Sequence, residues 1–263
     1  MIRRIAAMAF LLAACALVAS GRAGAGEGTK GQIGVEEKLG RKVPADVVFR
    51  EENGMPVSMG ELIKGPVVVS LVYHRCGHTC PTLLAGLADL VGRVDLKPGK
   101  DFSLLTISFD ELDTPEVAKE RKRNYLAAVG KPFPESAWRF LTGDADNIRK
   151  FTAAVGFNFT RVKDGFNHPV VLIVLSPEGK IVRYLYGKNF LPFDLKLAVS
   201  EASQEKVGLS VQRLLLFCYS YDPPGRTYVF NILRVYGVIM ILLIASLFIY
   251  LTLSRKKRDG DVK

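Results

Sequence analysis

Residues 66–81 read PVVVSLVYHRCGHTCP, and this stretch decides the fold. Its first half, residues 66–72, is rich in β-branched and apolar side chains, which is typical of a strand buried on both faces of a sheet. After Pro81, leucines recur at the spacing of an amphipathic helix. Between strand and helix lie two of the chain's four cysteines and two of its three histidines. Sulfur and imidazole groups at a helix N-terminus suit thiol redox chemistry or the binding of a soft metal.

The rest of the central region alternates strands and helices. The sequence predicts a buried strand at residues 102–109, a charged helix at 114–129, a short strand at 138–141, a helix from Asp144 to 155 and a closing helix at 195–202. Residues 176–179 read SPEG, a turn signal between two apolar runs, and so predict an antiparallel hairpin. Together these elements predict an α/β fold in which helices flank a mixed central sheet.

The first 25 residues predict a secretory signal peptide. Arg3 and Arg4 form its basic start, an apolar core follows, and the small residues 23–25 provide a cleavage site. A lipoprotein signal is the alternative, because residues 12–15 look like a lipobox that ends in Cys15. Since the apolar core continues past Cys15, we expect ordinary cleavage.

The C-terminal region predicts a membrane anchor. Residues 235–253 carry no charge, and at about 1.5 Å per residue they cover roughly 28 Å, close to the ~30 Å hydrocarbon core of a bilayer. We therefore expect a transmembrane helix at 233–253, followed by a cytoplasmic basic tail at 254–263. A buried core helix is the alternative. The anchor would place the preceding domain on the periplasmic, extracytoplasmic side of the cytoplasmic membrane.

Three further parts lie between these ends. We expect residues 26–41 to form a tether, residues 42–208 the α/β domain, and residues 209–232 a juxtamembrane segment. Most of the net charge of +10 comes from the signal peptide and from the region after residue 230, so the domain itself is close to neutral. The charge therefore indicates a membrane anchor and argues against nucleic acid as a partner.

Cys76 and Cys80 are four residues apart. If both belong to the first helical turn, their Cα atoms lie about 6 Å apart, within the range of a disulfide, and their thiolates can also clasp one soft cation. The helix N-terminus, Arg75, His74 and His78 would lower the thiol pKa values. A purely stabilising disulfide is the alternative, although so short a loop restricts the unfolded chain little. We expect a functional, redox-active pair.

His168 is the third candidate ligand. It precedes Pro169 and a buried strand, and in the predicted sheet the start of this strand can return beside the cysteine loop. Two thiolates and one imidazole form a three-coordinate site suited to Cu(I), and no carboxylate cluster accompanies them to serve a harder metal. A histidine before a strand is usually a satisfied polar residue, so His168 gains its weight from the cysteine pair.

The region from residue 42 to about residue 205 resembles the Sco/SenC family of thioredoxin-like proteins, which is associated with copper delivery to cytochrome c oxidase. The resemblance rests on Cys76-x-x-x-Cys80-Pro81 after a buried strand, Ile107-Ser108-Phe109-Asp110 with Asp113-Thr114-Pro115, and His168 eight residues before Ser176-Pro177-Glu178-Gly179. It implies a thioredoxin-like fold, copper as Cu(I) or Cu(II), and Cys76, Cys80 and His168 as the copper ligands.

Several features depart from the family's pattern. Gly77 stands where the family often has proline, and His74 and His78 add donors that could bind metal or tune the thiols. The predicted anchor is C-terminal, whereas many relatives carry theirs at the N-terminus. Cys218 lies in an apolar and aromatic stretch, where we expect a buried thiol.

The first functional hypothesis is a membrane-anchored copper chaperone that assists assembly of the copper centre of a cytochrome c oxidase. Its partners would be a copper-accepting oxidase subunit, membrane lipid around the C-terminal helix, and a protein thiol reductant. The alternative is a thiol–disulfide oxidoreductase that keeps the target's cysteines reduced, which needs the cysteine pair but not His168. We expect a binding protein rather than a turnover enzyme. A peroxidase fits less well, because it requires an arginine beside its reactive cysteine, and the sequence does not show which arginine would lie there.

Overall fold

The computed structural model describes residues 33–77, 79–187 and 190–208 and, beyond these, residues 219–222, 227–230, 240 and 243–247. The predicted signal peptide at residues 1–25 lies outside the described residues.

The described elements alternate as the sequence predicts. The strands of the main body are β1 (Gly34–Val35), β2 (Val48–Arg50), β3 (Pro56–Ser58), β4 (Val67–Val72), β5 (Ser103–Ser108), β6 (Trp138–Leu141), β7 (Phe157–Asn158), β8 (Thr160–Val162), β9 (Gly165–Asn167), β10 (Val171–Leu175) and β11 (Ile181–Tyr186). The helices are α1 (Met59–Leu62), α2 (Thr79–Arg93), α3 (Pro115–Ala128), α4 (Ala145–Ala154) and α5 (Pro192–Ser203). The predicted strands at 102–109 and 138–141, the hairpin and the three later helices are confirmed to within a few residues.

Five strands form the central sheet in the order β11-β10-β4-β5-β6. β4, β5 and β6 run parallel, and β10 runs antiparallel to both of its neighbours, β4 and β11, so the sheet is mixed as predicted. The C-terminal ends of β4 and β5 therefore lie at the same edge as the start of β10. This arrangement brings the loops after β4 and β5 close to the chain that leads into β10.

Both faces of the sheet are covered, because β4 is buried along its whole length. Its side chains alternate between two cores: Val68 and Val72 face a cluster that contains residues of α2, α3 and α5, and Val69 and Leu71 face one that contains residues of α1 and α4. Leu83, Leu84, Leu87, Leu90 and Val91 line the buried face of α2, which explains their helical spacing. Two cores around one sheet are the three-layer arrangement of an α/β domain.

Strand β1 lies inside the stretch predicted as a tether. Gly34 and Val35 pair with β7, and the N–H of Glu36 donates to the carbonyl of Gly156 at 2.8 Å. Gly156 has φ +65°, and a Cβ there would stand 1.9 Å from the Glu36 carbonyl oxygen, so this close approach requires glycine. Residues 34–36 are thus attached to the domain.

The C-terminal part is described only in pieces. An antiparallel hairpin, β12 (Tyr219–Asp222) with β13 (Thr227–Phe230), falls in the predicted juxtamembrane segment. Most of the predicted transmembrane segment at 233–253 lies outside the described residues, and residues 240 and 243–247 are helical. Within the part of the chain that the structure describes, no helix combines the length and apolarity that crossing a membrane requires.

Candidate metal centre

The cysteine pair occupies the junction of β4 and α2. The helix begins at Thr79, so Cys80 is helical whereas Cys76 lies in the loop three residues before the helix. The structure therefore differs from the expectation that both cysteines share the first helical turn. The backbone N–H of Cys80 donates to the Cys76 sulfur at 3.4 Å. This bond gives an acceptor to one of the first-turn N–H groups that have no partner within the helix. Both cysteines are buried and in the reduced form.

His168 completes a three-ligand group with the cysteines. The sulfur atoms of Cys76 and Cys80 and a ring nitrogen of His168 lie within 4.8 Å of one another. His168 Nε2 lies 3.6 Å from Cys80 Sγ. The predicted convergence of the cysteine loop with the start of β10 thus brings all three candidate ligands together.

The His168 ring is oriented for ligation through Nε2. Its Nδ1 lies 2.9 Å from the carbonyl oxygen of Pro169, and because a carbonyl oxygen can only accept, Nδ1 carries the proton. The lone pair of Nε2 then faces the Cys80 sulfur. A backbone carbonyl that fixes the tautomer and direction of a ligating imidazole is a common supporting contact at metal sites.

Aromatic side chains enclose the His168 ring. The ring centroids of Phe109, Tyr73 and Phe157 lie 5.2, 5.9 and 6.3 Å from that of His168. The Tyr73 and His168 rings meet edge to face at 89°. This packing leaves the imidazole little freedom to rotate away from the sulfurs.

A buried carboxylate holds the cysteine loop in place. Asp113 Oδ2 accepts hydrogen bonds from the His74 N–H and from the Ser108 hydroxyl, both at 2.6 Å, and Oδ1 accepts from Arg75 Nε at 3.2 Å. The Asp113 side chain is fully buried. Its charge is therefore matched by three donors, one of which belongs to the backbone of the loop itself.

A second carboxylate connects the cysteine loop with the hairpin that leads to His168. Asp110 accepts from Arg75 Nη2 at 3.0 Å and from Arg161 Nη2 at 3.0 Å. Arg161 lies on β8, and its guanidinium carbon stands 4.4 Å above the Phe166 ring of β9. One arginine of the cysteine loop and one of the hairpin thus bind the same aspartate.

The electrostatics of the Cys80 thiol differ from the sequence-based expectation. The hydrogen bond from Cys80 to Cys76 and burial raise the pKa of the Cys80 thiol, whereas the sequence predicts a lowered pKa. Arg75 does not supply an uncompensated charge, because it pairs with Asp110 and Asp113. A metal ion that binds these sulfurs must therefore displace a proton from Cys80.

His74 lies apart from the three-ligand group. Its ring is buried and stacks on Phe140 of β6 at 6.1 Å, and burial lowers the pKa of the imidazole to about 4. His74 is therefore neutral at pH 7 and does not add the positive charge that the sequence predicts. His78 and Cys218 lie outside the described residues, so their roles stay as predicted from the sequence.

Sequence reasoning missed several residues that surround the ligands. The β8–β9 hairpin and Arg161 went unpredicted, although Asp164-Gly165 between short polar and apolar residues is a hairpin signal. Arg121 and Tyr125 of α3 line a small cleft beside Cys76 and Cys80. No local pattern indicates that contact, because it depends on how α3 packs against α2.

The fold and the site together define a thioredoxin-like domain with two thiols and one imidazole at the edge of its sheet. The model of the SCO1/SenC family matches residues 37–192, more than half of the chain, and the chain belongs to this family. A search of curated protein sequences finds no match.

Solved structures share the fold. A protein from Aquifex aeolicus VF5, described as an electron transfer protein, is 29% identical with a TM-score of 0.58, over 64% of this chain and 95% of that chain. ScoI from Arabidopsis thaliana, determined with copper bound, is 22% identical with a TM-score of 0.51, over 64% of this chain and 99% of the other. BsSco is described as a member of the Sco family of cytochrome c oxidase assembly proteins. It is 22% identical with a TM-score of 0.51, over 65% of this chain and 99% of that chain.

Proposed function

We propose that this protein is a membrane-anchored, extracytoplasmic copper-binding protein that assists assembly of the copper centre of a cytochrome c oxidase. The observation that carries the proposal is the convergence of Cys76, Cys80 and His168 within 4.8 Å. Two thiolates and an imidazole match the preference of Cu(I) for soft ligands in low coordination number. Membership of the SCO1/SenC family and the copper-bound structure of the Arabidopsis relative support the same choice of metal.

The surrounding residues support binding and release of copper by ligand exchange. Pro169 orients the imidazole, and Asp110 and Asp113 fix the loop, so the three ligand atoms are arranged before the metal arrives. Copper is the cargo, and the oxidase subunit that accepts it would compete for it with its own thiolate and imidazole groups. Three protein ligands leave room for an incoming fourth ligand.

The alternative is a thiol–disulfide oxidoreductase that keeps the target's cysteines reduced, with a protein thiol reductant as its partner. The proximity of Cys76 and Cys80 favours this alternative, because the pair could exchange with a substrate disulfide. His168 separates the two functions, because copper binding uses its Nε2 together with the two sulfurs, whereas thiol–disulfide exchange needs only the sulfurs.

Copper binding by the reduced full chain tests the proposal. We expect one Cu(I) per chain in the wild type and a fall in affinity of tenfold or more in His168→Ala, because the variant loses one of three ligands. Competition with a chromophoric Cu(I) chelator measures both quantities. Cys218→Ser is the control and should bind as the wild type does.

Two results would contradict the copper assignment. Equal Cu(I) affinity in His168→Ala and the wild type would remove His168 from the ligand set. Weak copper binding by the wild type, together with disulfide-reductase turnover that survives His168→Ala, would favour the oxidoreductase.

A further inference from the structure

Large apolar side chains are exposed at the edge of the sheet that carries the candidate metal centre. Leu112, Leu191 and Phe193 have relative exposures of 58%, 61% and 71%. Among the large apolar residues that the structure describes between positions 33 and 208, only Met55, at 62%, is exposed to a similar degree. Single exposed apolar residues are common, but a group of them around one site indicates an interaction surface.

The topology places these residues on both sides of the helix that contains Cys80. Strands β4, β5 and β11 end at the same edge of the sheet and lead into α2, α3 and α5. Helix α2 lies in the middle, because it packs against both α3 and α5. Leu112 lies three residues before α3, Leu191 directly precedes α5, and Phe193 is the second residue of α5. The exposed side chains therefore flank the start of α2.

Hydrogen bonds hold the first flank beside the cysteine loop. The N–H of Leu112 donates to Asp110 Oδ1 at 3.2 Å, and Oδ2 of the same carboxylate accepts from Arg75 at 3.0 Å. Asp110 also pairs with Arg161, so the two arginines of this region do not present uncompensated charge. The backbone of Leu112 is thus fixed next to the site while its side chain stays in solvent.

The second flank is attached to the strand that follows His168. The N–H of Gly187 donates to the carbonyl of Val170, directly before β10, at 3.2 Å. Phe190 is buried in the core cluster that also contains Cys80. The next residue, Leu191, is exposed, so the chain turns from the core to the surface at this point.

We propose that Leu112, Leu191 and Phe193 form a docking surface for the copper-accepting oxidase subunit, an inference that rests on the proposed function. Copper transfer by ligand exchange requires the acceptor's own ligand atoms to reach the metal, so the acceptor must cover this edge of the sheet. Packed helices lie about 8–10 Å apart. Both flanks therefore fall within the footprint of a standard interface, about 800 Å² on each partner.

The chemistry of the surface matches a protein acceptor with apolar side chains around its copper ligands. Leucine and phenylalanine bury apolar area at the centre of an interface, where charged residues are depleted. A surface that binds anionic lipid instead needs uncompensated basic side chains, and Arg75 and Arg161 are both paired. A second copy of the chain would cover the ligands that the acceptor must reach.

The test measures Cu(I) transfer from the reduced full chain in detergent to the purified copper-free oxidase subunit of the same organism. Transfer should slow by about tenfold in the double variant Leu191→Ser, Phe193→Ser, and by about threefold to tenfold in Leu112→Ser, because apolar anchors are lost. Met55→Ser is the matched control and should behave as the wild type does, since Met55 lies near the start of β5 at the opposite edge of the sheet.

Transfer to a chromophoric Cu(I) chelator, which needs no docking surface, should be equal in all four proteins. Binding of the copper-free chain to the same oxidase subunit, measured by titration calorimetry, should weaken in the order that transfer slows. This second measurement does not depend on copper.

Equal transfer rates and equal affinities for the oxidase subunit in the double variant and the wild type would overturn the inference. Weaker binding of the double variant to phosphatidylglycerol vesicles, or loss of a wild-type dimer, with unchanged affinity for the subunit, would assign the surface to lipid or to a second copy and also overturn it. A wild type that binds the subunit through these residues but binds no copper would support the docking surface and contradict the proposed function.

Discussion

Tyr184 shows how a single hydroxyl joins the N-terminal stretch to the domain. Its oxygen accepts the N–H of Lys38 at 3.0 Å, and its O–H donates to the carbonyl of Val155 at 2.9 Å. Burial raises the pKa of Tyr184 to about 12, from about 10 in the unfolded chain. Between these two pH values the unfolded state loses its proton while the folded state keeps it, so this residue's contribution to stability declines as the pH rises.

We expect Tyr184→Phe to lower the free energy of unfolding at pH 8 by about 1–3 kcal/mol, because the Lys38 N–H and the Val155 carbonyl lose their partner. The variant should then lose about 2 kcal/mol less than the wild type between pH 10 and pH 12. Urea unfolding at pH 8, 10 and 12 measures both differences. Identical losses in the two proteins would contradict the assigned pKa.

Among the elements, the β8–β9 hairpin has the most direct link to the site, because His168 follows it by one residue. Arg161 attaches the hairpin to Asp110 from a half-exposed position, whereas Asp110 is buried. In Arg161→Met, Asp110 keeps its bond to Arg75, so we expect a change in unfolding free energy of about 1 kcal/mol or less. Copper affinity should fall more clearly, by about threefold to tenfold, because His168 is less firmly placed.

Lys163→Met provides the matched control, since Lys163 is an exposed cation on the same hairpin. Competition for Cu(I) and thermal unfolding of both variants give the comparison. If the two variants bind copper equally well, the Arg161 ion pair does not position His168.

The elements that the sequence predicts are those with a strong local pattern. β4 and β5 are buried runs, α3 begins at Pro115, and α4 has Asp144 as its N-cap, with the carboxylate accepting the N–H groups of Asp146 and Asn147. Several of the unpredicted elements, among them β1, β7, β8 and β9, have two or three residues each, too few for a periodicity to emerge. Their pairing depends on partners that the rest of the fold provides.

The same distinction explains the site. The sequence could group Cys76, Cys80 and His168 because the predicted order and direction of the strands determine which strand ends meet at one edge of the sheet. The neutral state of His74 could not be predicted, because it depends on burial beside Phe140, which is more than sixty residues away along the chain.

At the scale of the whole molecule, the position of the chain relative to the membrane stays a prediction from the sequence. Two anchors compete: a helix at residues 233–253 and a lipid on Cys15. The helix would bury an uncharged run about as long as the bilayer is thick, and insertion of this kind is effectively irreversible, whereas a lipid anchor relies on its acyl chains. The two anchors therefore predict opposite results when each is removed alone.

Removal of residues 233–263 should move the protein from the membrane fraction to the soluble extracytoplasmic fraction, because the apolar run and its basic flank are lost together. Cys15→Ser, which removes the lipid acceptor and leaves the helix, should stay with the membrane. Fractionation followed by immunoblotting measures both, and retained Cu(I) binding by the released protein would show that the domain is intact. Release of Cys15→Ser, with retention of the truncated chain, would instead establish a lipid anchor. The domain would then be tethered through residues next to β1 rather than through the segment after α5, because the attachment point would move from the C-terminal to the N-terminal side of the sheet.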